Sequence, residues 1–314
     1  MPADSPQLRA DLVACFPSLV IDSVAKESGQ RVVYFAHFDD SLIPVDMPEE
    51  STFLLKWEAW GKVVVKVVGE VSASTLTRLQ AEAALLEELK SGQSPRLLYA
   101  NYFTENPITE DKLKESLYVS IEEFVESVTL SSILNDFIGA PTPVFSLAIS
   151  VVNGLRPLWE HPRRFVHRDV KPDNLLVKSD GTVVIIDFGI IRETGAAGIT
   201  KEGWGQAPLS IDYAAPEHIA NDKDLVSFKT DVFSIGVIMY QLISGAHPFR
   251  TRVGMDMYEM AEATENHVAP SLESLGIANE VQSLVIEQMM EKKPYLRPRT
   301  VDLLLKQLTR AKDC

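Results

Sequence analysis

His167-Arg168-Asp169-Val170-Lys171-Pro172-Asp173-Asn174 runs into Leu175-Leu176-Val177, then Asp180-Gly181, then Thr182 to Ile186, then Asp187-Phe188-Gly189. On this stretch the reading of the chain turns. It describes a loop bearing two carboxylates, a lysine and an amide, followed by a glycine-turned hairpin that brings back a third carboxylate. Eighteen positions separate Asp169 from Asp187, enough for loop, strand, turn and strand to return both acids to one place. A single aspartate at a turn is ordinarily a turn residue. An ordered set of this kind is not explained that way.

Phosphoryl transfer asks for such a set. One carboxylate orients an attacking hydroxyl and takes its proton. A second carboxylate and an amide oxygen suit Mg²⁺, a hard ion that prefers oxygen ligands. A lysine offsets negative charge on the group in flight.

Upstream of this stretch the pattern is β-rich. Leu19–Val24, Arg31–Phe38 and Lys62–Val68 are β-type runs, with Ser28-Gly29 as a hairpin turn between the first two. Thr75–Lys90 carries Leu76, Leu79, Ala83 and Leu86 at helical steps and is stopped by Ser91-Gly92 and Pro95. Arg96–Phe103 and Leu117–Val125 read as further strands, and Ser5–Phe16 as a short opening helix capped by Ser5. Asp39–Glu50, with two prolines, reads as a surface insertion. Downstream the pattern turns helical: Phe145, Ala148, Val152, Leu155 and Trp159 form one stripe, and Asp231–Ser244 is apolar all round and ends at Gly245, the mark of a buried helix. Val281–Met290 and Thr300–Leu308 continue the helical pattern.

Composition fits this division and removes several classes. The chain has 314 residues, 46% hydrophobic and 24% charged, which suits a globular protein of about two domains and not a disordered chain. Its 30 basic and 44 acidic side chains leave a net charge of −14, the opposite of a phosphate-binding track for nucleic acid. Cys15 and Cys314 make neither a disulfide framework nor a zinc site. The N-terminus lacks a secretory pattern, and no apolar run approaches the roughly 18 residues of a membrane helix. The expectation is a cytoplasmic protein that binds neither nucleic acid nor membrane, of open oligomeric state.

The motifs resemble the eukaryotic-like protein kinase superfamily, Ser/Thr branch, over roughly residues 19–310. The resemblance implies an α+β, bilobal fold: a small β-rich N-lobe with one major helix (19–125) and a larger, mainly α-helical C-lobe (126–310), flanked by an N-terminal extension (1–18) and a tail (311–314). It implies ATP and Mg²⁺, a protein substrate with a Ser or Thr acceptor, and autophosphorylation. By that resemblance Asp169 matches the catalytic base, Asn174 and Asp187 the magnesium ligands, and Lys171 the lysine typical of Ser/Thr kinases. Val63-Val64-Val65-Lys66 resembles the strand whose lysine grips the α/β-phosphates, with Glu82 as that lysine's expected partner and Glu87 and Glu88 as alternatives. Val33, Val64 and Leu176 would line the adenine site. Glu123 and Val125 are the preferred hinge residues, which leaves Glu122 at the family's mostly apolar gatekeeper position. Ala215-Pro216-Glu217 matches a family motif whose glutamate would pair with Arg297, and Asp231 matches the aspartate that props the catalytic loop.

The chain also departs from the family. Of the glycine-rich loop only Gly29 survives, and Arg31 either assists by charge or faces solvent. Arg168 would receive an activating phosphate, but Gln206 stands at the usual acceptor position four before Ser210. Thr200, then Thr194, or the built-in carboxylate of Glu202 are the candidates in its place. His37, His161, His218, His247 and His267 show no ligand spacing, Trp57 and Trp60 read as packing residues, and Trp204 is either packing or a docking residue. The rival readings are a pseudokinase acting as a binding module and a small-molecule kinase.

Overall fold

Strict alternation builds the first sheet. On the strand Arg31–Phe38, Val32, Tyr34, Ala36 and Phe38 are buried, while Arg31, Val33 and Phe35 face the other way, the period of two that a pleated strand imposes. A computed structural model of the chain describes residues 4–28, 31–43, 57–89, 92–188, 192–193 and 211–314. In it β1 (Leu19–Ser28), β2 (Arg31–Phe38), β3 (Lys62–Gly69), β4 (Leu97–Glu105) and β5 (Lys112–Glu123) form an antiparallel sheet in the order β1-β2-β3-β5-β4. β5 begins five residues before its expected start at Leu117.

The sheet has two different faces. One buries Val63, Val65 and Val67 of β3 and Leu117, Val119 and Ile121 of β5 in a core shared with Phe16, Trp57 and Phe103. Phe16 and Phe38 lie 5.1 and 4.9 Å from the Trp57 ring, and Trp60 stacks on it at 5.6 Å. The helix α1 (Pro6–Cys15) supplies Leu8, Leu12 and Cys15 to that same core. Its N-terminus is capped by Ser5, whose hydroxyl accepts from Leu8 N at 3.0 Å. Tyr34 is fully buried and donates to Asp4 just before the helix at 2.7 Å. The segment set apart by sequence as an extension therefore belongs to the core of this unit. The other face carries Val64, Lys66 and Val68 of β3 and Tyr118, Ser120 and Glu122 of β5. The helix α2 (Ala73–Leu89) packs there through Leu79 against Val68 and Tyr118.

By compactness the chain divides into Met1–Lys90 with Pro95–Val125, and Ser91–Ser94 with Glu126–Cys314. The second unit opens with the short strand β6 (Val128–Thr129) and the helix α3 (Pro141–Trp159), which buries Phe145, Ala148, Val152, Leu155 and Trp159 on one stripe. After β7 (Phe165–Val166) come β8 (Leu175–Val177) and β9 (Val183–Ile185), a hairpin joined through Gly181 at φ 81° with Asp180 accepting from Thr182 N at 2.8 Å. β6 completes this small sheet, and β10 (Arg192–Glu193) pairs with β7. The rest is helical: α4 (Pro216–Ile219), α5 (Phe228–Ser244), α6 (Met257–Asn266), α7 (Glu280–Met289) and α8 (Val301–Lys312). α5 is buried almost throughout and ends at Gly245 in the left-handed region, φ 74°. Gly236 in its middle admits α7: a Cβ there would stand 2.9 Å from that of Met289. α8 runs past position 310, with Ala311 fully buried.

Candidate active site

The segments that carry the expected site residues have a backbone bent into unusual shapes. Arg168 at φ 69° and Asp187 at φ 65° both occupy the left-handed region, which disfavours residues with a side chain. Such conformations cost about 1–3 kcal/mol each and persist where surrounding bonds over-determine them. For the loop, Asp231 supplies those bonds. Its Oδ1 accepts from Arg168 N at 2.8 Å, and its Oδ2 accepts from His167 N at 2.9 Å and Trp159 Nε1 at 2.8 Å. Asp231 is wholly buried at the first turn of α5, and that burial pushes its carboxyl pKa up; the nearby His167 and the three N–H donors oppose the shift.

Around Asp169 the side chains converge. Lys171 Nζ and Asn174 Nδ2 donate to Asp169 Oδ2 at 2.7 and 2.9 Å, and Asn174 Nδ2 also reaches Asp169 O at 2.9 Å. Asp169 N donates to His167 Nδ1 at 3.3 Å, so the proton of neutral His167 resides on Nε2. Pro172 opens the single 3-10 turn Pro172–Asn174 that carries the amide inward, and Ile186 N donates to Asn174 O at 3.0 Å, tying that turn to the end of β9 just before Asp187. The Asn174 Oδ1 atom is buried and has no hydrogen-bond partner among the described residues. Buried acceptors are seldom left so. Together with the Asp187 carboxylate it is the hard-oxygen donor pair that Mg²⁺ prefers, and the residues fit that ion. Phe188 packs against His167 at 5.3 Å between ring centres.

The same unit holds a second buried pair. Arg297, 1% exposed, meets Glu217 in a two-pronged ion pair at 2.7 and 2.9 Å. Its remaining protons go to the carbonyls of Glu291, Lys229 and Lys292, and Thr230 donates to Glu217 at 2.9 Å.

In the sheet unit the charges pair differently from expectation. Lys66 and Glu82 are not partners. Glu82 is taken by Arg31, whose Nη2 and Nη1 reach its two oxygens at 2.7 and 3.3 Å. Lys66 Nζ lies 2.6 Å from Glu122 Oε1. The register gives the reason. Lys66 stands opposite Ser120 across β3 and β5, so Glu122 is its diagonal neighbour on the same face, within reach of a long side chain. Arg31 stands opposite Val68, the β3 residue that packs under α2, and its planar fork matches a carboxylate better than an ammonium does. Sequence had placed Glu122 at an unusual position without giving it a partner, and had left Arg31 to phosphate or solvent. Two charges on the face that also bears Lys66 were the available signal. Val33 and Val64 lie half-buried on that face, and Glu123 closes β5 with its Oε1 accepting from Arg96 N at 2.9 Å. Val125 follows β5 in this unit, and Leu176 is in β8 of the other. Gly29, Thr194, Thr200, Glu202, Trp204, Gln206 and Ser210 lie outside the described residues.

Comparison with known proteins adds to this geometry. The protein kinase domain family matches residues 55–308. A probable serine/threonine-protein kinase of Clostridium perfringens is 29% identical over 193 residues, 61% of this chain and 27% of that protein. The serine/threonine-protein kinase PknL of Mycobacterium tuberculosis is 33% identical over 178 residues, 55% of this chain and 40% of its own length. Mitogen-activated protein kinase kinase 2 of Arabidopsis thaliana is 28% identical over 232 residues, 70% of this chain and 59% of its own length. The matched stretch is thus less than two thirds of each relative. The family match contains both the lysine strand and the loop from His167 to Asp187, and since it spans most of this chain, the chain belongs to the protein kinase domain family.

Proposed function

We propose that this chain is a Ser/Thr protein kinase, transferring the γ-phosphoryl group of ATP to a hydroxyl of a protein substrate. The observation that carries the reading is the Asp169 carboxylate, buried and held at one oxygen by Lys171 and Asn174. In the proposed step the acceptor hydroxyl gives its proton to Asp169, its oxygen forms a bond to the γ-phosphorus, and the bond from that phosphorus to the bridging oxygen breaks, releasing ADP. Lys171, whose charge already faces Asp169 Oδ2, would offset negative charge on the phosphoryl group in flight. Lys66 would hold the α/β-phosphates, with Val33, Val64, Leu176 and the backbone of Glu123 and Val125 about the adenine. Asn174 and Asp187 would hold Mg²⁺, which would supply neutralisation of phosphate charge.

The same reading places the protein in the cytoplasm without nucleic-acid or membrane partners, which suits its net charge of −14 and two free cysteines. Among the described residues no helix is long and apolar enough to cross a membrane. Autophosphorylation at Thr200 belongs to the proposal as well.

Incubation with labelled ATP, Mg²⁺ and a generic basic protein tests the reading. Wild type should label Ser and Thr, and Asp169→Ala should lose about 10²–10⁴-fold in kcat while still binding ATP. Label confined to small molecules would favour the small-molecule kinase. ATP binding without transfer would favour a binding module.

A further inference from the structure

We propose that Glu122, on β5, is the carboxylate that positions Lys66 for nucleotide, and that Arg31 relieves Glu82 of that task. The inference rests on the reading of Lys66 as the nucleotide lysine. The side chains of Lys66 and Glu122 are 10% and 5% exposed, at 2.6 Å. A charge buried to this degree needs a partner. Glu122 provides that partner from a rigid strand next to the one that bears Lys66, so the ammonium direction is set inside the sheet.

The helix glutamate has other work. Glu82 is held by both arms of the Arg31 guanidinium, at 2.7 and 3.3 Å, with side chains 18% and 10% exposed. The Tyr118 hydroxyl donates to Leu79 O at 3.1 Å on the same helix. α2 is therefore fastened to β2 and β5 by polar bonds that do not involve Lys66. Arg31, Glu82 and Glu122 line one small cavity beneath α2 with Leu79 and Tyr118. Two positive and two negative groups thus meet on this side of the sheet as two matched pairs, Arg31 with Glu82 and Lys66 with Glu122. An acid at position 122 and an arginine at position 31 complement each other.

The test measures the ATP dissociation constant by titration calorimetry with Mg²⁺ present, and KM and kcat with a generic basic protein, for Lys66→Ala, Glu82→Gln and Glu122→Gln. Thermal unfolding checks that each variant is folded. Lys66→Ala and Glu122→Gln should both weaken ATP binding, by roughly ten-fold or more, the effect of losing a charged hydrogen bond. In Glu122→Gln the change should fall on KM more than on kcat, with a cooperative unfolding transition retained. Glu82→Gln should stay within about three-fold of wild type in both constants. If Glu82→Gln loses ATP as Lys66→Ala does, the proposal is overturned, even where Glu122→Gln does not fold. It is equally overturned if a folded Glu122→Gln binds ATP as wild type while Lys66→Ala does not. Should Lys66→Ala itself bind ATP normally, the nucleotide site has been misread and both readings fall together.

Discussion

Asp231 shows how much one side chain can carry. Two oxygens receive three N–H donors, from the Trp159 indole and from the consecutive backbone amides of His167 and Arg168 that lead into the left-handed kink at Arg168. Asp231→Asn keeps the shape but replaces one accepting oxygen with a donating NH₂, which must then face an N–H. A buried donor left unpaired costs about 1–3 kcal/mol. The expected outcome is a fall in stability of that size by urea unfolding, together with lower kcat, because the kink that presents Asp169 relaxes. Unchanged stability would mean that Asp231 does not hold the loop. The motif residues themselves were legible because they cluster in sequence. The Lys66–Glu122 pair was not, because it depends on a diagonal register between strands 56 positions apart, and only folding brings such positions together.

Elements with a strong period were read closely, and weakly periodic ones were missed. α5 could hardly be misread, being apolar on every side and closed by Gly245. α6 buries only Met260 and Thr264 and went unread, although its Asp256 and Glu259 form a capping box that marks its start. Just beyond α5, His247 links two segments. Its Nε2–H donates to Asp212 O at 2.7 Å, and its Nδ1 accepts from Phe249 N at 3.2 Å, so the bonds require the neutral ring. Burial lowers its pKa below the ordinary 6.5, against the weaker pull of Asp212. Since the unfolded chain takes up a proton that the folded one resists, this contribution is fully present above about pH 6.5 and is lost as pH falls through the folded value. Urea titrations from pH 8 to 5 should show stability declining below about 6.5, and His247→Gln should flatten that decline. A profile identical to wild type would remove His247 as its source.

At the scale of the whole molecule, each of the two units has its own reason to hold together. In the sheet unit the core extends on to α1, where Leu12 is fully buried and Cys15, its thiol pushed up to about 12 by burial, behaves as a small apolar filler. Leu12→Ala should therefore cost about 2–5 kcal/mol, as a cavity in a sheet core does. Were α1 a loose appendage, unfolding of that variant would match wild type. The division near position 125 was legible from the switch between periods of two and 3.6. The membership of α1 was not. Ten residues with a cap announce a helix, and nothing in their order says which face of which sheet they cover. The same holds for Ser91–Ser94, which follows α2 in sequence yet belongs to the helical unit, with Gln93 bonded to Ser150 and Val183.

The pairing of Glu217 with Arg297 also bears on how the chain is made. The two are separated by 80 positions, with Glu217 made first. A ribosome adds about 5–20 residues per second, so the glutamate is synthesised roughly 4–16 s before the arginine that neutralises it. Throughout that interval a nascent chain holds a carboxylate destined for burial and nothing to bury it with. The helical unit can then complete its interior only once Arg297 has been made, which exposes the apolar surface of α5 to chaperones, proteases and neighbouring nascent chains for those seconds.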